Sequence, residues 1–168
     1  MNDIDNRALS VFARLDSTIA TGASRGDVAA KLAELYCELF DADYCRFWWR
    51  TEDDSEVRVV AHYPPIEFKE DWEHIKRLDS AKSSVVKSIF IDGELMIEAD
   101  PSGNPHIENR YVTVYGAKSG VHVPITVGGK VVGDLALVSK REKGHFTEEH
   151  RTVLLALSNI SALALYRF

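Results

Sequence analysis

The chain has 168 residues, 45% of them apolar, with 20 Lys and Arg against 26 Asp and Glu. That length suits one globular domain with a real core, and the net charge of −6 leaves no basic footprint for nucleic acid. The acidic start Met1-Asn2-Asp3 is unlike a secretory leader, no apolar run nears the roughly 18 residues of a membrane span, and Cys37 and Cys45 without CxxC spacing point to a reducing, cytoplasmic setting.

The first 40 residues predict two helices. Leu9, Phe12, Leu15 and Ile19 recur at helical spacing up to Thr21-Gly22. Ser24-Arg25-Gly26-Asp27 resembles a capping box, followed by the stripe Val28, Leu32, Leu35 and Leu39. The period then shortens. Tyr44 to Arg50 and Val57 to Tyr63 are aromatic and β-branched, and the polar run 52–56 between them suits a hairpin. Pro64-Pro65 stops the second strand.

From Ile66 to Ile89 short helices are expected, carrying Phe68, Trp72 and Ile75, then Val85 and Val86. Asp92-Gly93 marks a turn, Leu95 to Glu98 a short strand, and Asp100 to Pro105 a loop, with the segment from Asp100 to Asn109 expected to be mobile. Ile107 to Tyr115 reads as another short helix. Gly120 to Thr126 and Lys130 to Ser139 flank Gly128-Gly129, a strong hairpin signal. Thr147 is a good N-cap for a last helix in which Val153, Leu154, Leu157, Ile160, Ala164 and Leu165 spread over more than one side. One side is expected on the sheet, the other on the N-terminal helices or a second subunit.

This order, helix, helix, hairpin, short helices, strand, hairpin, helix, resembles a GAF domain, with a PAS-like profile as the alternative. The likeness is carried by Ser119-Gly120-Val121-His122-Val123-Pro124-Ile125, by Gly129-Lys130-Val131-Val132-Gly133-Asp134-Leu135-Ala136-Leu137 and by Phe146-Thr147-Glu148-Glu149. The resemblance implies an α+β fold: an antiparallel sheet of five or six strands, terminal helices on one face, and short helices and loops over a ligand pocket on the other. It also implies a sensory or regulatory role without turnover. Residues 1–168 are then one domain, 1–22 an N-terminal helix for dimerisation and 23–168 the core.

Motifs that would name a ligand are missing. Relatives resembling cyclic-nucleotide receptors carry Asn-Lys…Phe-x-x-x-Asp-Glu; here Ser139, His150 and Arg151 replace the Asn, Asp and Glu, which disfavours a cyclic nucleotide. Bilin-carrying and methionine-sulfoxide-reducing relatives place reactive thiols on the pocket side, whereas residues 46–168 contain none, so Cys37 and Cys45 read as small core residues. His62, His74, His106, His122, His145 and His150 form no metal-ligating pair on one helix face, and neither metal nor haem is expected. His145 and His150 are expected in solvent. No catalytic residue is assigned.

Alternation along the strands supplies the candidate site. Cys45, Phe47 and Trp49 share one side of the first strand, with Arg46, Trp48 and Arg50 on the other. Val131, Gly133, Leu135 and Leu137 oppose Val132, Asp134, Ala136 and Val138 on the last. The resemblance makes these strands neighbours and points Arg46 into the pocket, so Arg46 and Asp134 are expected to pair there. A structural pair, a ligand-facing pair and solvent exposure remain alternatives at this stage. His122 joins them if the Gly128-Gly129 hairpin has a three-residue loop; a two-residue loop reverses its side. Trp48, His62, Tyr63, Trp72, Tyr111 and Tyr115 complete the expected lining. The functional reading is an unidentified small-molecule ligand, a homodimer through the terminal helices, and a downstream effector protein or domain. The alternatives are an interaction module with a degenerate pocket and, further off, a small enzyme of the free methionine sulfoxide reductase kind.

Overall fold

A computed structural model describes residues 24–65, 84–104 and 115–168, together with 6, 7, 10, 11, 13–15, 20, 112 and 113. The first long helix, Arg25–Phe40, starts where Ser24 leaves the extended region and its hydroxyl oxygen accepts the Asp27 N–H. The Asp27 carboxylate answers the Ser24 hydroxyl, closing the cap through side chains. Asp41, left-handed at φ 52°, ends the helix. Of the stripe expected before it, Leu15 is helical and buried in the main core, as is Val11 outside the stripe, while Leu9, Phe12 and Ile19 lie outside the described residues.

Five antiparallel strands follow: β1 Tyr44–Arg50, β2 Val57–Tyr63, β3 Met96–Glu98, β4 Ser119–Val127 and β5 Lys130–Ser139, in the spatial order β2-β1-β5-β4-β3. Val85 and Val86 begin a short helical segment, Ser84–Val86, which continues as the π-helical turn Lys87–Ile91. The closing helix, Arg151–Leu165, follows a single 3-10 turn, Glu148–His150. No helix among the described residues is long and apolar enough to cross a membrane.

Both long helices cover the same sheet face. Leu32, Leu35 and Tyr36 from the first and Leu154, Leu157 and Leu165 from the second meet Phe47, Trp49, Val121, Val123, Leu135 and Leu137 in one core. Arg25 joins the layers, stacking on the Trp49 ring and donating its Nε–H to the last-turn carbonyl of Leu165. Gly133 is obligatory in this layer: a Cβ there would lie 2.6 Å from the Trp48 carbonyl oxygen and 2.9 Å from the Trp49 ring. A smaller cluster, Trp48, Val57, Ile89 and Phe90, packs on the opposite face. Arg50 ties it down by donating to the carbonyls of Val131 and Phe90, each at 3.0 Å.

Two expectations about the helix termini change. His145 is not simply solvated: its Nε2–H donates to the Phe40 carbonyl at the end of the first helix. His150 accepts the Thr147 N–H on Nδ1 and lies against Phe40 and Phe146, supplying the reciprocal half of the last cap.

Candidate functional site

The site is built by register. Directly opposed residues of antiparallel strands share a face, and one row crosses all five strands. His62 faces Arg46, Arg46 faces Ala136, Ala136 faces His122, and His122 faces Met96. The next row pairs Trp48 with Asp134 and Asp134 with Pro124. Both rows lie on the face away from the long helices.

The Gly128-Gly129 loop has two residues, with Val127 opposite Lys130 and both glycines at positive φ, as a type I′ turn requires. By the expected rule His122 should then face the helices. It does not, because the register slips between Ile125 and Thr126, leaving Val132 as an extra residue on β5. The bulge also reverses the expected sides of the first two β5 valines: Val131 packs against the Trp48 cluster and Val132 against the helix-side core. A second bulge, at Val60, performs the same inversion on β2.

Asp134 is only 1% exposed and meets two donors. His122 Nδ1 lies 2.7 Å from Oδ2, and the Val123 N–H 3.2 Å from Oδ1. The expected Arg46–Asp134 pair is therefore replaced by His122–Asp134, because Arg46 is in register with Ala136 and not with the acid. Since the carboxylate accepts from Nδ1, the Nε2 atom of His122 is left on the far side of the ring, and no hydrogen bond is made there. The His122 side chain keeps 14% of its exposure. Arg46 is half-buried, its guanidinium 5.8 Å from the centre of the Trp48 ring.

His62 is buried beside Tyr44, and its Nδ1–H donates to the Pro64 carbonyl at 2.7 Å. Burial, then the Arg46 charge, lowers its pKa to about 4, so it is neutral near pH 7. Lys140 Nζ sits 4.4 Å from the Tyr44 ring centre on the same side, a cation–π contact that sequence reading missed.

The remaining expected lining divides. Trp48 is on the right face but is wedged into the Val57, Ile89 and Phe90 cluster. Tyr63 is on the wrong face: it opposes Cys45 and packs on the helix-side core, since consecutive strand residues cannot both face the pocket. Tyr115 is half-buried in the turn before β4, and Trp72 and Tyr111 lie outside the described residues. The described part of the loop expected to be mobile makes local contacts. Asp100 caps Pro101–Gly103 and pairs with Lys143 at 2.7 Å, and Asn104 donates to Glu98 at 2.7 Å. The rest of that loop lies outside the described residues.

Both cysteines sit in the helix-side core, and burial pushes the Cys45 thiol well above its ordinary pKa. Among the described residues no three His, Cys, Asp or Glu side chains gather as metal ligands. An open cleft of about 620 Å³ lies at the β1–β2 turn, where Arg25, Arg50 and Arg58 alternate with Glu52, Asp53 and Glu56, away from the His122–Asp134 pair.

The sequence matches the GAF domain family over residues 24–165. No curated protein matches the chain. The fold is similar to that of the GAF domain from a phosphoenolpyruvate-protein phosphotransferase of Coxiella burnetii, with a TM-score of 0.78 and 17% identity, covering 99% of this chain and 96% of that one. It is also similar to a free methionine-R-sulfoxide reductase from Neisseria meningitidis in complex with its substrate, with 0.77 and 16%, covering 99% and 92%. A methyl-accepting chemotaxis protein, residues 122 to 287, gives 0.71 and 18%, covering 94% and 97%. At these identities the likeness shows the fold alone.

Proposed function

The chain belongs to the GAF domain family, and from that premise we propose that it is a sensory or regulatory module that binds a small molecule on the sheet face away from its long helices. The observation that carries this reading is the His122–Asp134 pair. A carboxylate 1% exposed has been placed on the face that the long helices do not cover, where it holds an imidazole whose second nitrogen is unbonded. A sheet face serving only as core has no need of an ionisable pair. Signalling runs through the terminal helices. Leu163, 81% exposed, and Tyr166 leave the closing helix with an apolar strip that a second copy of the chain would cover in a homodimer, which in turn addresses an effector protein or domain.

The reading is non-catalytic. Reductase chemistry like that named for the Neisseria relative would need a reactive thiol at the ligand, and both cysteines of this chain are buried on the other face. The test is native mass spectrometry of freshly purified protein. A non-covalent adduct is expected on the wild type and is expected to be depleted in His122→Ala. A bare chain, both as purified and after incubation with a metabolite extract, would overturn the reading. Incubation with free methionine sulfoxide and a dithiol is expected to yield no methionine.

A further inference from the structure

The two cysteines, eight positions apart in the chain, are brought together by the turn between the first helix and β1. Cys37 lies in the last turn of that helix, and its carbonyl accepts the N–H groups of Asp41 and Ala42. The left-handed Asp41 sends the chain back along the sheet, where Cys45 is held from both sides, opposite Tyr63 of β2 and Leu137 of β5. The Cys37 thiol reaches the same spot from the helix layer. It donates at 4.0 Å to the carbonyl of Tyr63, the residue that faces Cys45. The two thiols are also hydrogen-bonded to each other, in one core, with Cys45 0% and Cys37 5% exposed.

We infer that Cys37 and Cys45 are a dithiol site that a peroxide-class oxidant converts to an intramolecular disulfide, bonding the end of the first helix to β1. The inference is independent of the ligand-binding reading, because neither sulfur lies on the face that carries His122 and Asp134. Disulfide formation is limited by how often two sulfurs meet, and here folding holds them together before any oxidant arrives. A lone buried thiol has no second sulfur to capture its sulfenic acid; this pair does.

One peroxide balances the reaction. Cys37, the more exposed of the two, attacks a peroxide oxygen and the O–O bond breaks. Its thiol proton leaves with the departing hydroxide as water, and Cys37 becomes a sulfenic acid. The Cys45 sulfur then displaces the sulfenic hydroxyl: the S–S bond forms, the S–O bond breaks, and the Cys45 proton leaves with the hydroxyl as a second water. The two thiols lose two electrons in all, and the peroxide gains them. Cys45 suits the second step because burial, then its hydrogen bond to Cys37, keeps its thiol protonated, which brings the proton that the leaving hydroxyl needs.

The experiment exposes the folded, fully reduced chain to hydrogen peroxide, then unfolds it in urea with iodoacetamide to cap every remaining thiol. A chymotryptic digest cut after Phe40 separates Cys37 from Cys45, and free glutathione in a parallel tube reports that the oxidant has acted. The wild type is expected to yield peptides joined through Cys37 and Cys45 that dithiothreitol separates, with no covalent dimer. In Cys45→Ala, Cys37 is expected to stop at the sulfenic acid and take up dimedone; in Cys37→Ala, Cys45 is expected to be recovered as the capped thiol. Since the native packing already accepts both sulfurs, the oxidised wild type is expected to keep its far-ultraviolet circular dichroism and to unfold at a higher urea concentration than the reduced form. Full capping of both cysteines at a peroxide dose that oxidises glutathione would overturn the site. So would covalent dimers in place of the internal bond, or an oxidised form that unfolds at lower urea, which would place the disulfide in an unfolded chain. Dimedone on Cys45 and not on Cys37 would overturn the order of the steps. Should either alanine variant fail to fold, the wild-type digest and the urea comparison decide alone.

Discussion

The two faces of the sheet are made by the same strands, one residue apart, and their polar chemistry differs in kind. Beneath the helices, the buried polar side chains among the described residues are hydroxyls, most of them spent on a nearby backbone group. Ser158 donates to the Pro124 carbonyl, Ser119 to that of Glu98 at 3.1 Å, and Tyr36 to that of Leu157 at 3.3 Å. On the other face the buried polar side chains among the described residues are ionisable, His62 and Asp134, with Arg46 and His122 half-buried beside them. A hydroxyl rotates to whatever acceptor is near and stabilises a fold without presenting charge. A buried carboxylate and imidazole are costly to desolvate and hold one geometry, which suits recognition.

The hardest way to break this division is at the helix face. Gly133→Val forces a Cβ into the Trp48 carbonyl and the Trp49 ring, and is expected to cost about 3 kcal/mol or more in urea unfolding. A loss under about 1 kcal/mol would show that β1 and β5 can separate freely. On the other face, Asp134→Ala leaves the His122 Nδ1–H and the Val123 N–H without an acceptor, and an expected loss of about 2 kcal/mol follows. Equal damage from Asp134→Asn would mean that the charge, and not the hydrogen bonds, supports the fold.

A smaller effect is expected from acid. The folded-state pKa of His62 is near 4, below the ordinary 6.5, so the unfolded chain binds the extra proton. Its contribution is present in full above about pH 6.5 and is lost as pH falls toward 4. His62→Gln is expected to flatten that part of the stability–pH curve; an unchanged slope would assign it to other groups. The smallest effect on stability is expected at Leu163, 81% exposed. Leu163→Glu should alter unfolding by under about 0.5 kcal/mol yet convert a dimer to a monomer in sedimentation. A wild type that is already monomeric at high micromolar concentration would remove the homodimer from the proposed function.

Much of the scaffold is legible in local sequence because its signals are local. The Ser24 cap, the ends of β1, β2 and β5, and the glycine turn at 128–129 each depend on residues within a few positions of one another. Side-chain alternation likewise places Arg46 and Trp48 opposite Phe47 and Trp49 without reference to any other strand. The sharing of one face by Arg46, His122 and Asp134 was legible only through the family resemblance, since the turn length taken alone predicts the reverse for His122.

Tertiary structure decided the rest, and the reason is that register is set by contacts between strands while side-chain period is set within one. A single extra residue at Val132 reverses parity along β5, keeping His122 beside Asp134 despite a two-residue turn and exchanging the sides of Val131 and Val132. Cross-strand register likewise gave Asp134 to His122 instead of Arg46, set Ala136 between Arg46 and His122, and turned Tyr63 toward the helices beside Cys45. Composition and period thus determined which residues were available for a site; hydrogen-bonded register across the strands determined which of them met.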